Sequence, residues 1–170
     1  MIVGFLLIGL TLGFWTIKSA SSMPVEKENA YMMSYQDADK NMNEIVAQQQ
    51  TFDTKYKIEL LNAKTIHIED NNNSRKYHND PIELSANNTF VYEIKGKNGA
   101  IVEDLNVTFL LTRPHTDIED QKVVKIAKNT LNKWQTPSIK IANKGRYTLV
   151  LRVATPDGSV GFLETPAYFK

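Results

Sequence analysis

The 170-residue chain contains no cysteine. Disulfides, thiolate zinc sites, cysteine nucleophiles, cysteine-bound iron–sulfur clusters and the CxxxC copper site are therefore excluded. Export is not excluded, because a domain with an adequate core folds without staples. An excess of one charge is also missing. Twenty Lys and Arg stand against nineteen Asp and Glu, a formal charge of +1. A nucleic-acid binder shows a basic surplus, and this chain does not. Histidine is scarce: His67, His78 and His115 are all there are, so a three-histidine metal site would need every one of them. No Gly-rich phosphate loop, GxSxG elbow or HExxH helix is present. What remains is a composition of 42% hydrophobic and 23% charged residues, which is globular on average. The length suits one ordinary domain with an appendage.

The average conceals an uneven distribution. Met1 to Ile17 (MIVGFLLIGLTLGFWTI) is uncharged, and every charged side chain follows it, starting at Lys18. As a helix this run spans roughly 25 Å at about 1.5 Å per residue, against a bilayer core of about 30 Å. Trp15 stands near its end, where aromatics mark the membrane–water boundary. Three readings fit: an uncleaved transmembrane anchor over 1–18, a cleaved signal peptide, and a buried soluble helix. The anchor is preferred, because a signal peptide needs a basic start and an A-x-A-like site, and Lys18 interrupts the approach to Ser19, Ala20, Ser21 and Ser22. No basic side chain precedes the run, so charge alone does not choose its orientation. Gly9 and Gly13, four residues apart, share one helix face and would let a second helix approach closely. Ordinary glycine content of a membrane helix accounts for them equally well.

Pro24 ends the first segment, and residues 19–29 read as a polar linker. Tyr31, Tyr35, Ala38, Met42, Ile45, Gln49 and Phe52 then recur at spacings of three and four, one face of an amphipathic helix over 30–52. That face is either a partner-binding seam, with Tyr31, Tyr35 and Met42 as contacts, or a surface laid on the chain's own domain. Barely three heptads is short for an isolated coiled coil, which favours the second. Met32 and Met33 offer soft ligands for Cu(I), but neighbours on a helix point about 100° apart, and apolar packing is the plainer role.

From residue 54 the period changes to two. Tyr56, Ile58 and Leu60 form one stripe, Ile66 and Ile68 flank His67, and Phe90, Tyr92 and Ile94 form the next. Asn98-Gly99 marks a tight turn. Leu105, Val107, Phe109 and Leu111 follow, then Ile139, Ile141 and the run Tyr147 to Val153. Pro156-Asp157-Gly158 is a turn, and Val160, Phe162 and Phe169 belong to the last strand. About seven short strands without a βαβ rhythm predict a mainly β fold, an Ig-like antiparallel β-sandwich over 53–170. Tyr92, Phe109, Leu111, Leu149 and Leu151 are expected to face inward.

Two polar stretches could carry chemistry. Residues 70–80 could cradle a cation with Asp70, His78 and Asp80, though a solvated loop is the simpler reading. His115, Asp117, Glu119 and Asp120 follow a strand and could be metal ligands or an acid–base group. A general base needs a pocket and a tuning partner, neither of which the sequence displays, so an exposed acidic loop is expected. His67 points away from its isoleucine neighbours, toward solvent. No catalytic residue, cofactor or metal site is assigned.

The order of parts resembles the FixH/CcoH family of bacterial membrane proteins. One N-terminal hydrophobic helix leads into Asn29 and Tyr31 and an amphipathic helix. A strand then runs into Arg113-Pro114, and Gly145-Arg146-Tyr147 opens a later one. The resemblance implies a single-span protein of the bacterial cytoplasmic membrane with residues 18–170 in the periplasm. It further implies a non-catalytic accessory role: binding subunits of a cbb(3)-type cytochrome c oxidase to support its assembly or stability, with membrane lipid around the anchor. A periplasmic copper carrier for oxidase maturation and a generic exported Ig-like envelope module are the alternatives.

Overall fold

The computed structural model describes residues 2–22, 32, 35–67, 80–100, 102–114, 116–129, 131 and 133–170, with all their side chains except those at 2–7, 20–22, 35–40 and 117. Two helices come first, α1 (Ile2–Ser22) and α2 (Tyr35–Lys55), and α2 passes directly into β1 (Tyr56–Leu60). The switch from helical to alternating periodicity thus falls within two residues of the boundary read from sequence. The remaining strands are β2 (Ile82–Leu84), β3 (Asn87–Asn88), β4 (Val91–Gly96), β5 (Asn106–Arg113), β6 (Thr116–Val123), β7 (Ala127–Lys128), β8 (Trp134–Gln135), β9 (Ile139–Lys140), β10 (Gly145–Ala154) and β11 (Val160–Phe169).

The described residues are mainly β. One sheet runs β2-β11-β10-β5-β6, a second runs β1-β4-β8-β7, and β3 with β9 forms a small third. Tyr92 on β4 and Phe109 on β5 meet across the two large sheets with ring centroids 6.3 Å apart, and Phe90 stacks on Phe109 at 5.3 Å. The five side chains expected inward, Tyr92, Phe109, Leu111, Leu149 and Leu151, are all buried in this core. Leu110 and Val150, which alternation assigns to the opposite face of β5 and β10, are buried too. Central strands covered on both faces read as nearly continuous apolar runs, which is how LVLRV in β10 reads.

Four expectations are corrected. The β-domain is not wholly antiparallel: β2 pairs parallel with β11, with Ala167 opposite Ile82 and Phe169 opposite Leu84. A parallel partner is not set by any local turn, so no local signal announces it. The expected acidic loop at 116–120 is part of β6, which returns along β5 with Thr116 opposite Arg113 and Val123 opposite Phe109. Its polar sequence is that of an edge strand. The second helix, expected from residue 30, does not include Met32. Met32 has a left-handed backbone (φ 56°), incompatible with a right-handed helix, and α2 begins at Tyr35 and extends to Lys55. The residues expected to open the linker, Ser19 to Ser22, still belong to α1. Two turns stand as read. Gly99 takes φ 80° and donates its N–H to the Gly96 carbonyl, and Gly158 (φ 82°) sits in the β10–β11 turn.

Candidate functional site

In α1, the described side chains run from Ile8 to Ser19. Ile8, Leu10, Leu12, Phe14, Trp15 and Ile17 are all exposed. At about 100° per residue these six distribute around most of the helix circumference. A helix that is apolar all round requires a cover. The polar side chains within the run satisfy themselves: Thr11 donates to the Ile8 carbonyl at 2.9 Å and Thr16 to the Leu12 carbonyl at 2.8 Å. Gly9 and Gly13 lie about 40° apart on one face, and a Cβ at either would meet nothing within 4 Å. Among the described residues no helix is long and apolar enough to cross a membrane. The side chains of Ile2 to Leu7 lie outside that set.

The apolar stripe of α2 is spent, in its C-terminal half, on the chain's own domain. Ile45 and Phe52 are buried and Met42 and Gln49 are half-buried. Tyr31 lies outside the described residues, and Tyr35 opens α2 with its side chain outside them. Phe52 enters the core between the sheets, with its ring 5.0 Å from that of Tyr56. Gln49 meets the edge of β11. The Phe162 backbone N–H donates to Gln49 Oε1 at 2.6 Å, and Gln49 Nε2 reaches the Phe162 carbonyl at 3.4 Å. A primary amide here takes the place of a neighbouring strand's peptide group. At the end of the helix Lys55 Nζ donates to Asp157 Oδ2 at 2.6 Å. Asp157 Oδ1 also accepts from the Ser159 hydroxyl at 2.8 Å, from the Ser159 N–H at 3.3 Å and from the Thr155 hydroxyl. Lys55 first, then Thr155 and Ser159, hold the Asp157 carboxyl well below the usual carboxylate range.

A second polar cluster joins β5, β6 and β10. Glu119 on β6 accepts from Asn143 Nδ2 (2.6 Å) and from Arg113 Nη1 (3.0 Å). The Tyr147 hydroxyl is 3.0 Å from Glu119 Oε2 and 2.7 Å from the Asn143 carbonyl, so its one proton serves both. Arg113 lies over the Tyr147 ring at 5.2 Å and donates to the Lys144 carbonyl at 3.2 Å. Gly145 adopts φ 133°, and a Cβ there would stand 3.0 Å from Arg113 Nη2. The hydrogen bond from Asn143, with those from Tyr147 and Arg113, lowers the Glu119 pKa. Burial, then Glu119, pushes the Tyr147 phenol up to about 12. The two motifs Arg113-Pro114 and Gly145-Arg146-Tyr147 thus meet in one place. Glu119, read from sequence as part of an acidic loop, is the anion that joins them.

Most of the other sequence candidates fall outside the described residues. Asp70, His78 and His115, the Asp117 side chain and Met33 lie outside the described residues. His67 is exposed, as expected, and its Nδ1 pairs with Asp80 at 3.0 Å. Among the described residues no group of three or more His, Asp or Glu could hold a metal ion. Gln49 and Phe52 lie on the chain's own domain, as the spacing of the stripe favoured; the amide contact of Gln49 with β11 and the Lys55–Asp157 pair were not read from the sequence. The available signal was Gln49 itself, a polar residue in register with an apolar stripe.

No family model matches the chain, and no curated protein or solved structure matches it.

Proposed function

We propose that this chain is a membrane-anchored, non-catalytic accessory protein. In this reading α1 crosses the bacterial cytoplasmic membrane once and the β-domain stands in the periplasm. The observation that carries the reading is the exposure of every described large apolar side chain of α1, beside a domain whose own core is closed. The 21 residues of α1 span about 31 Å at 1.5 Å each, the thickness of a bilayer core. The intrahelical bonds of Thr11 and Thr16 suit a lipid environment, where backbone and hydroxyl groups must be satisfied internally. The β-domain is read as an Ig-like sandwich. Two sheets face each other across Tyr92 and Phe109, and the Tyr147 hydroxyl returns to the Asn143 carbonyl four residues upstream, as in a tyrosine corner.

The partner follows from the resemblance to the FixH/CcoH family: subunits of a cbb(3)-type cytochrome c oxidase, bound to support assembly or stability. Gly9 and Gly13 serve the close approach of a partner helix, and Tyr31, Tyr35 and Met42 serve contacts near the bilayer surface. Affinity purification of the tagged full chain from membranes, with haem spectra and identification of co-purifying subunits, tests the proposal. Oxidase subunits should be recovered, and replacing Met1–Ile17 with a cleavable signal peptide should release a folded domain that no longer supports oxidase activity. Recovery of the chain from membranes with no oxidase subunit moves the envelope-module reading ahead. Full replacement of the missing chain by added copper favours the copper carrier.

A further inference from the structure

We propose that Asn98 is a site of spontaneous covalent modification, converted to aspartate and isoaspartate by attack of the Gly99 backbone nitrogen, and that the isoaspartate form loosens the end of α2. Asn98-Gly99 is the one Asn-Gly pair in the sequence. It stands in the turn that leaves β4. The Gly99 N–H donates to the Gly96 carbonyl at 2.8 Å, and the Gly96 N–H donates to the Ala100 carbonyl at 3.0 Å. Lys97 and Asn98 stay out of the left-handed region and Gly99 enters it, the pattern of a type I turn closed by a glycine bulge. Residues 97–100 are all exposed.

Each partner in the reaction is prepared. Gly99 has no Cβ to shield its nitrogen, and nothing lies within 4 Å of where one would stand. Asn98 Oδ1 accepts from the Ala100 N–H at 3.1 Å, so a donor already faces the oxygen on which charge develops when Cγ is attacked. Asn98 Nδ2, the leaving nitrogen, has no hydrogen-bond partner among the described residues. Asn62 and Asn88 differ in this respect. Asn62 is tied through Nδ2 to the Thr89 carbonyl and through Oδ1 to the Val91 N–H. Asn88 is tied through both atoms to the backbone of Ser85. The one restraint at Asn98 is the hydrogen bond from the Gly99 N–H, and exposed turns open locally at little cost. The new bond joins Gly99 N to Asn98 Cγ. The Cγ–Nδ2 bond breaks, and the Gly99 amide proton leaves with Nδ2 as ammonia. Water then opens the ring. Attack at Cγ gives aspartate; attack at the main-chain carbonyl carbon gives isoaspartate, with the backbone routed through Cγ. The two products differ in consequence. Aspartate keeps an acceptor for the Ala100 N–H, whereas isoaspartate adds a methylene to the main chain and shifts the turn out of register. The neighbouring Lys97 N–H donates to the carbonyl of Lys55, the last residue of α2, at 2.8 Å, so this shift reaches the helix end. Neither step requires the membrane or the oxidase.

The test holds the folded full chain in detergent micelles in mildly alkaline buffer, with peptide mapping by mass spectrometry and amide exchange read by residue. Asn98 should convert several-fold faster than Asn62 or Asn88. Exchange of the Lys97 amide should rise as isoaspartate accumulates. Asn98→Asp, which supplies only the aspartate product, should leave that amide as protected as in the fresh protein. Gly99→Ala should slow conversion several-fold. If that variant does not fold, because the position is left-handed, Asn98→Gln lengthens the side chain at an exposed site and disfavours ring closure; it should show neither conversion nor a change at Lys97. Conversion of Asn98 no faster than that of Asn62, or conversion only in denaturant, overturns the proposal. Isoaspartate that accumulates with unchanged exchange at Lys97 overturns the link to α2.

Discussion

Gly161 of β11 lies directly beneath the ring of Phe52, so that a Cβ at Gly161 would overlap the ring carbons. The absence of a side chain on the strand is what lets the helix insert its aromatic into the core. Gly161→Ala should destabilise the domain by about 1–3 kcal/mol through overpacking, and Phe52→Ala by about 3–5 kcal/mol through the cavity it leaves. The two should not add. With the ring gone, a methyl at position 161 fills vacated space, and the double variant should be less destabilised than the sum of the single changes. Chemical unfolding of the four proteins measures the coupling; strict additivity would place the ring elsewhere.

Tyr92 presents the reverse case. Its hydroxyl is buried and has no hydrogen-bond partner among the described residues, and burial pushes its phenol far above the ordinary range. An unsatisfied buried hydroxyl costs about 1–3 kcal/mol. Tyr92→Phe keeps the contact with Phe109 and removes that cost, so stability should be unchanged or higher by up to about 1 kcal/mol. A clear loss of stability would reveal a partner for this oxygen.

The Arg113–Glu119–Tyr147 cluster should shape the pH dependence of folding. The folded-state pKa of Glu119 is depressed, so its contribution is present above the unfolded value of about 4.3 and declines as pH falls below it. Asp157 is depressed as well and acts in the same direction. Tyr147 is raised to about 12. Its contribution is whole below pH of about 10 and is lost as pH rises from there toward about 12. Glu119→Gln should flatten part of the acid limb and Asp157→Asn another part, while Tyr147→Phe should remove part of the alkaline limb. Thermal midpoints across pH separate the three; an acid limb unchanged in both carboxylate variants would overturn the assignment.

Much of this fold was legible in the sequence where burial has a period. The inward set from Tyr92 to Leu151 is spaced by two along β4, β5 and β10, and both turns containing glycine carry their signal in the residue that takes positive φ. Leu151→Ala, at the centre of that set, should cost about 2–5 kcal/mol; a change below about 0.5 kcal/mol would remove it from the core. The unread parts depend on contacts distant in sequence. β6 is an edge strand whose Asp, Glu and Lys residues defend it against pairing, so it reads as a loop. The parallel alignment of β2 with β11 joins residues about 85 positions apart in sequence, which only tertiary packing decides. Glu119 could not be distinguished from its acidic neighbours, because Arg113, Asn143 and Tyr147 approach it from other elements. For α1 the sequence shows an apolar run and its small residues, but not what lies against them.

The face carrying Gly9 and Gly13 yields the last prediction, which rests on the proposed membrane anchor. A small-residue face lets two helix backbones approach within van der Waals contact, and a large side chain there separates them. Gly13→Leu adds apolar surface, so insertion into the bilayer should persist or strengthen. Contact with a partner helix should nevertheless be lost. Thr11→Val, about 160–200° around the helix from the two glycines, changes shape very little and serves as the matched control. Recovery of partner subunits with the tagged chain should fall about tenfold for Gly13→Leu, equivalent to about 1.4 kcal/mol, and should be unchanged for Thr11→Val. The membrane fraction of both should equal that of the wild type. Equal recovery in the two variants would assign Gly9 and Gly13 to the ordinary glycine content of the helix and move recognition to α2 and the β-domain.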